Sequence, residues 1–213
     1  MTRVGIDGDN SWTLTSTGLK LIYLSPQVEM ICMDDITNQL SMLCRFTGAT
    51  SQFYSVAQHS VMVGQLIKQA LDADGADGRT VEYWDQILAG LFHDAEESYT
   101  NDLASPLKAC IRGKYRWVAS GILRKIFERY GIGWEYHNQT VKDADNLACV
   151  IERFYFLPEH PAWPKAEVNE EKFPKPRLLE HEAARVALKR TMLSALRVRN
   201  SLRREAAACT LSS

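Results

Sequence analysis

Four strongly polar residues occupy positions where helical periodicity calls for apolar ones. His59 lies in the inward stripe Val56, His59, Val63, Leu66 and Ala70; His93 and Asp94 follow Leu91 and Phe92; Asp145 shares a face with Val141, Ala148 and Cys149. A buried carboxylate is costly unless it is paired or coordinates a metal. One histidine on an apolar face is usually a satisfied core residue. Two histidines and two aspartates on three helices, all directed at the core, are best satisfied by a shared divalent cation. Mixed imidazole and carboxylate donors suit Mn, Co, Fe, Zn or Mg and leave positions open, where bound water becomes a nucleophile near neutral pH.

The elements that must position these residues are helical. Residues 11–33 read as extended: Thr13, Thr15 and Thr17 alternate, Gly18 breaks the run, and LKLIYL and VEMICM follow as short runs, which predicts a small hairpin. Asp34 or Asp35 then caps a helix carrying Ile36, Leu40, Leu43 and Cys44. Further helices are expected over about 54–70, 81–99, 115–130, 134–157 and 176–196, with Gly131 and Gly133 stopping the one over 115–130. Residues 158–175 are proline-rich and irregular, and the tail VRNSLRREAAACTLSS reads as frayed or disordered. The fold class is all-α with a small amino-terminal β-hairpin. Its parts are residues 1–33 packed on the main domain, the main helical domain over 34–197, and a disordered tail over 198–213.

Composition narrows the class. The chain has 213 residues, 25 Lys+Arg against 26 Asp+Glu, 46% hydrophobic and 24% charged, the profile of one globular domain. Balanced charge favours neither a nucleic-acid polymer nor a membrane surface as partner. No apolar run approaches the ~20 residues of a membrane span, and MTRVGIDGDNSW lacks a secretory h-region, so the expected location is cytoplasmic. Cys32, Cys44, Cys110, Cys149 and Cys209 are scattered and odd in number, without a CxxC pair, and read as buried or incidental thiols. LDADGADGRT lacks the acidic twelfth position of a calcium loop. His137, His160 and His181 read as surface or structural, Trp117, Trp134 and Trp163 as packing residues, and Glu96 as exposed.

The order His, 33 residues, His-Asp, 50 residues, Asp is the pattern of the HD metal-dependent phosphohydrolases. HDAEESYTNDLASPLK (93–108) closely resembles the signature of bacterial HD-domain 5′-deoxynucleotidases, RFTGATSQFYSVAQHS (45–60) their arginine, aromatic and first metal histidine, and VKDADNLA (141–148) their last metal aspartate. WTLTSTGLKLIYLSP is similar to the opening of a bacterial and phage branch, so the likeness runs from about Trp12 to Leu196. It implies metal ligation by His59, His93, Asp94 and Asp145, with Glu97 activating water and Asp102 assisting the leaving oxygen. It also implies that Arg45 contacts the phosphate. Lys108 is a second phosphate candidate, with a structural role equally open. Phe46 replaces the family tryptophan beside the sugar, and Gln58 stands where relatives often have glutamate.

The implied activity is metal-dependent hydrolysis of (deoxy)nucleoside 5′-monophosphates to nucleoside and phosphate, in a bacterial or phage-infected cytoplasm, by a homo-oligomer. Two alternatives stay open: a deoxynucleoside triphosphate triphosphohydrolase acting, for example, on dATP, and a non-catalytic nucleotide-binding HD module.

Overall fold

The computed structural model describes residues 11–111, 113–165 and 167–211; residues 1–10 of the amino-terminal segment and 212–213 of the tail lie outside it. A two-stranded antiparallel hairpin, β1 (Trp12–Leu14) and β2 (Lys20–Ile22), precedes the helices, with Thr13 opposite Leu21. The run VEMICM, expected as extended, instead contains a 3-10 turn, Val28–Met30. Helix α1 (Met33–Met42) starts after Cys32, with Asp34 and Asp35 inside its first turn, where the helix dipole favours acids. Asp35 is buried and accepts hydrogen bonds from Ser16 Oγ, Thr17 N and Thr17 Oγ1, each at 2.7 Å. That carboxylate fastens the hairpin turn to α1.

Helices α2 (Val56–Ala73) and α3 (Val81–Leu91) form the centre. Ser55 and Thr80 cap them, accepting from the amides of Gln58 and Tyr83. Their axes approach through Gly64 and Gly90. A Cβ on Gly64 would lie 2.5 Å from Leu91 Cδ2, and one on Gly90 would meet Ile67 Cδ1 closer still. Val56, Val63, Ile67, Leu88, Leu91 and Phe92 are completely buried along this seam.

The helix expected over 81–99 is interrupted. After Leu91 the amide bonds change from i−4 to i−3 acceptors: Ala95 N donates to Phe92 O and Glu97 N to Asp94 O, both at 3.0 Å. The His-Asp pair therefore sits in tight turns, and a one-turn helix α4 (Glu97–Thr100) follows. Helix α5 (Ser105–Cys110) opens with Pro106 in its first turn, and α6 (Lys114–Tyr130) ends on left-handed Gly131 at φ 62°. The long helix expected from Trp134 is also divided, into a 3-10 turn Trp134–Tyr136 and α7 (Gln139–Phe156), capped by Asn138.

Helix α8 spans His181–Leu211, which corrects the expectation of a disordered tail from residue 198. Arg199, 3% exposed, donates to Asp85 Oδ1 at 3.0 Å, Tyr130 O at 2.8 Å and Gly131 O at 3.1 Å. Arg203 donates to Asp85 Oδ2 at 2.7 Å. Arg199 and Arg203 of this segment are thus held by α3 and by the end of α6. Trp134 packs on Phe127, but Trp117 and Trp163 are 61% and 51% exposed, unlike the packing residues expected. Cys110 and Cys209 are exposed, and Cys32, Cys44 and Cys149 are half-buried. Among the described residues no helix is long and apolar enough to cross a membrane.

Candidate metal centre

Helix α2 contributes His59, the turn after α3 contributes His93 and Asp94, and α7 contributes Asp145. The close α2–α3 seam brings the two imidazoles together: His59 Nε2 and His93 Nε2 are 3.3 Å apart. Asp94 Oδ2 lies 3.2 Å from His93 Nε2 and 3.6 Å from His59 Nε2. Asp145 Oδ1 lies 3.3 Å from His59 Nε2 and 3.9 Å from His93 Nε2. Ligand atoms of His59, His93 and Asp94 all fall within 4.8 Å of one another.

The ring protons are assigned by the opposite nitrogens. His93 Nδ1 is 2.8 Å from Gly90 O, and His59 Nδ1 is 2.7 Å from Glu152 Oε1. Both acceptors require a proton on Nδ1, so both Nε2 lone pairs face each other and two carboxylates. Imidazole nitrogens and carboxylate oxygens gathered in this way could hold a divalent cation in place of ring protons on Nε2. Metal–nitrogen bonds of about 2.1 Å at tetrahedral to right angles place two donors about 3.0–3.4 Å apart, which fits the imidazole pair. The side chains of His59 and His93 are buried, while those of Asp94 and Asp145 are 19% and 24% exposed, so the cluster opens to solvent on the aspartate side. Lys142 Nζ stands on that rim, 2.8 Å from Asp145 Oδ2.

Arg45 reaches the cluster from a constrained turn. Arg45 N donates to Tyr54 O at 2.8 Å and Val56 N to Leu43 O at 3.0 Å, closing the loop between α1 and α2. Within it Phe46 and Thr47 both take φ 54°, unfavourable for side chains with Cβ and rarer still for a β-branched one. Such strain costs about 1–3 kcal/mol per residue and concentrates at functional sites. The guanidinium lies between acids: Nη2 is 3.2 Å from Glu152 Oε2, and Nη1 is 3.5 Å from Asp102 Oδ2 and 4.0 Å from Asp94 Oδ2. Phe46 is half-buried, its ring 5.3 Å from the guanidinium carbon.

Glu97 does not stand on a shared helix face with His93, because the helix ends between them. It is nevertheless buried, and Lys108 Nζ donates to its Oε1 at 2.6 Å while Oε2 has no partner. Glu96, expected to be exposed, is half-buried with an unpartnered buried Oε2. Gln58 turns away from the cluster, donating to Arg177 O at 2.9 Å and accepting from Leu179 N at 3.3 Å. His137, His160 and His181 are exposed.

The surrounding acids separate into two groups. Burial alone would raise Asp94 and Asp145, but His93 and His59 hold both below the usual carboxylate range. Burial likewise opposes ionisation of Glu152, and His59 and Arg45 more than offset it. Glu97 is pushed well above the usual range by burial, then by Asp94 and Asp102. Burial also raises Asp102, against Arg45 and with Asp94. Burial and Asp94 bring Glu96 to about 8. The carboxyl groups of this one cluster thus diverge, Asp94, Asp145 and Glu152 held low and Glu96, Glu97 and Asp102 pushed up. On the histidines, burial acts downward, joined at His59 by Arg45, yet the carboxylates prevail and both imidazoles are raised, His93 most.

Glu152 was not anticipated from sequence. Within IERFYF it reads as one more polar residue of an amphipathic helix, and only its spacing of seven from Asp145 places it on the ligand face. A separate concavity of about 610 Å³, lined by Pro26, Arg124, Phe127 and Trp134 among others, shares no residue with this centre.

No family model matches the chain. It is 33% identical to YfdR of Escherichia coli K12 over 143 residues, 67% of this chain and 71% of that one. It is 32% identical over 147 residues to a protein of Rhodobacter capsulatus, covering 67% of this chain and 71% of the relative. Both relatives are described as uncharacterized.

Proposed function

The chain belongs to the family of YfdR, and we propose that it is an HD-type metal-dependent phosphohydrolase acting on (deoxy)nucleoside 5′-monophosphates. The observation that carries this reading is the pair of imidazole Nε2 atoms 3.3 Å apart, each tautomer set by its Nδ1 bond, facing Asp94 and Asp145. His59, His93, Asp94 and Asp145 would hold one divalent cation, of the Mn, Co, Zn, Fe or Mg kind. Bound there, a cation supplies Lewis-acid charge for a phosphoryl oxygen and lowers the pKa of water.

The chain's own residues divide the remaining work. Arg45 offers a planar fork to phosphoryl oxygens, and Lys108 adds a second positive charge beside Glu97. Glu97, raised by burial and by Asp94 and Asp102, accepts a proton from the attacking water. Asp102, also raised by burial, gives a proton to the departing 5′ oxygen as the phosphorus–oxygen bond breaks. Water thus enters at phosphorus, and nucleoside and phosphate leave. Phe46 provides an apolar wall beside Arg45 for the sugar.

The monophosphate is the substrate we propose, its single phosphoryl group meeting Arg45 and Lys108, each of which already faces a carboxylate. The test is to strip the protein of metal and reload it with Mn, Co, Mg or Zn. It is then incubated with each dNMP and dNTP, and phosphate, pyrophosphate and triphosphate are resolved. Metal-dependent phosphate release from monophosphates is expected. Triphosphate release would move the assignment to a triphosphohydrolase, and binding without turnover under every metal would leave a nucleotide-binding module.

A further inference from the structure

We propose that Glu152 is a positioning residue that couples the metal-binding histidine to the phosphate-binding arginine. The inference rests on the reading of the centre given above and names a residue through which its two halves act together.

Glu152 lies seven residues after Asp145 on α7, two helical turns along the same face. Its side chain is fully buried, and each oxygen has its own partner. Oε1 accepts from His59 Nδ1 at 2.7 Å; Oε2 accepts from Arg45 Nη2 at 3.2 Å. The first contact keeps the His59 proton on Nδ1 and so aims the Nε2 lone pair at His93, Asp94 and Asp145. The second draws one edge of the guanidinium inward and leaves Nη1 towards Asp102 and Asp94. A single carboxylate therefore sets both the orientation of a metal ligand and the angle at which the arginine meets an anion.

This arrangement differs from a salt bridge that merely adds stability. A glutamine at this position can accept from His59 only by turning its amide NH₂ towards Arg45, donor against donor. Turned the other way, its oxygen meets Arg45 while its NH₂ faces Nδ1, and His59 either loses its acceptor or moves its proton to Nε2, away from the ligating tautomer. Glu152→Asp keeps the charge but withdraws it by one methylene.

The experiment measures Mn or Zn affinity of the full chain by calorimetry, then inorganic phosphate affinity of the metal-loaded protein. Wild type, E152Q and E152D are compared, each checked for native helicity. E152Q is expected to lose about 10–100-fold in metal affinity, as partners of ligating histidines generally do, and to lose phosphate affinity with it; E152D falls between. In an R45A background, E152Q should no longer change phosphate affinity. Imidazole nitrogen NMR of the zinc-loaded wild type gives an independent reading, expected to show a strongly hydrogen-bonded Nδ1 proton on His59 even if E152Q fails to fold. Wild-type metal and phosphate affinities in E152Q, or a His59 proton on Nε2, overturn the role of Glu152 alone. A wild-type protein that binds no divalent cation overturns the reading of the centre beneath it.

Discussion

Lys108 Nζ lies 2.6 Å from Glu97 Oε1, so the short helix α5 is tied to a buried acid of the candidate centre. Burial raises the Glu97 carboxyl, with Asp94 and Asp102 adding to it, while Lys108 opposes them. Removing the ammonium pushes that carboxyl higher. If the ionised form accepts the proton of water, K108A shifts the acid limb of the pH–kcat/KM profile to higher pH and lowers the plateau about 10–100-fold. An unmoved acid limb would separate Lys108 from the chemistry.

Metal uptake should release protons. Carboxylates raise both imidazoles despite burial, so His59 and His93 hold protons at pH values where a free imidazole has begun to lose them. A cation must displace those protons, and apparent affinity therefore rises with pH through the neutral range and levels once both rings are neutral. Calorimetric titrations in buffers of different ionisation enthalpy read the released protons directly. Equal heats in every buffer would contradict this account.

The contact of Arg199 with Asp85 predicts a stability effect remote from the centre. Both side chains are nearly inaccessible, at 3% and 4%. Arg199→Met removes one partner of a buried acid and leaves only Arg203 on it. A loss of about 3 kcal/mol in urea unfolding is expected, towards the lower end for a broken buried pair because Arg203 remains. A chain ending at residue 197 should be destabilised similarly, whereas a frayed tail could be removed without effect.

The α2–α3 seam provides a test of geometry. Leu91 is completely buried, and its Cδ2 and Cγ would both have to shift to admit a side chain on Gly64. Gly64→Val should cost about 2–3 kcal/mol through overpacking. Because the same seam sets the His59–His93 separation, it should also weaken Mn or Zn binding, measured by competition with a chromophoric chelator. A variant that folds less stably yet binds metal as tightly would show that the helices yield without moving the imidazoles.

Much of the helical layout and the meeting of His59, His93, Asp94 and Asp145 was legible because burying polar groups is costly. A polar residue on an apolar stripe signals a partner even before the partner is identified. The features that escaped depend on distances that periodicity does not encode. Glu152 and Arg199 look like ordinary polar residues of amphipathic helices, and only tertiary packing closes them in. The change of hydrogen-bond pattern after Leu91 has no Gly or Pro within Phe92–Glu97, and Gly90 just before it reads as part of the helix. Gly64 and Gly90 sit where helix propensity alone would prefer another residue, and the seam explains both.

The anchoring of α8 on Asp85 has a consequence for the order of events during synthesis. Asp85 belongs to the helix that leads into His93 and Asp94, and its buried counter-charges arrive only with residues 199 and 203. A nascent chain can expose every side chain of the centre while that helix still lacks its latch. The helix that leads into His93 and Asp94 therefore gains its buried counter-charges last.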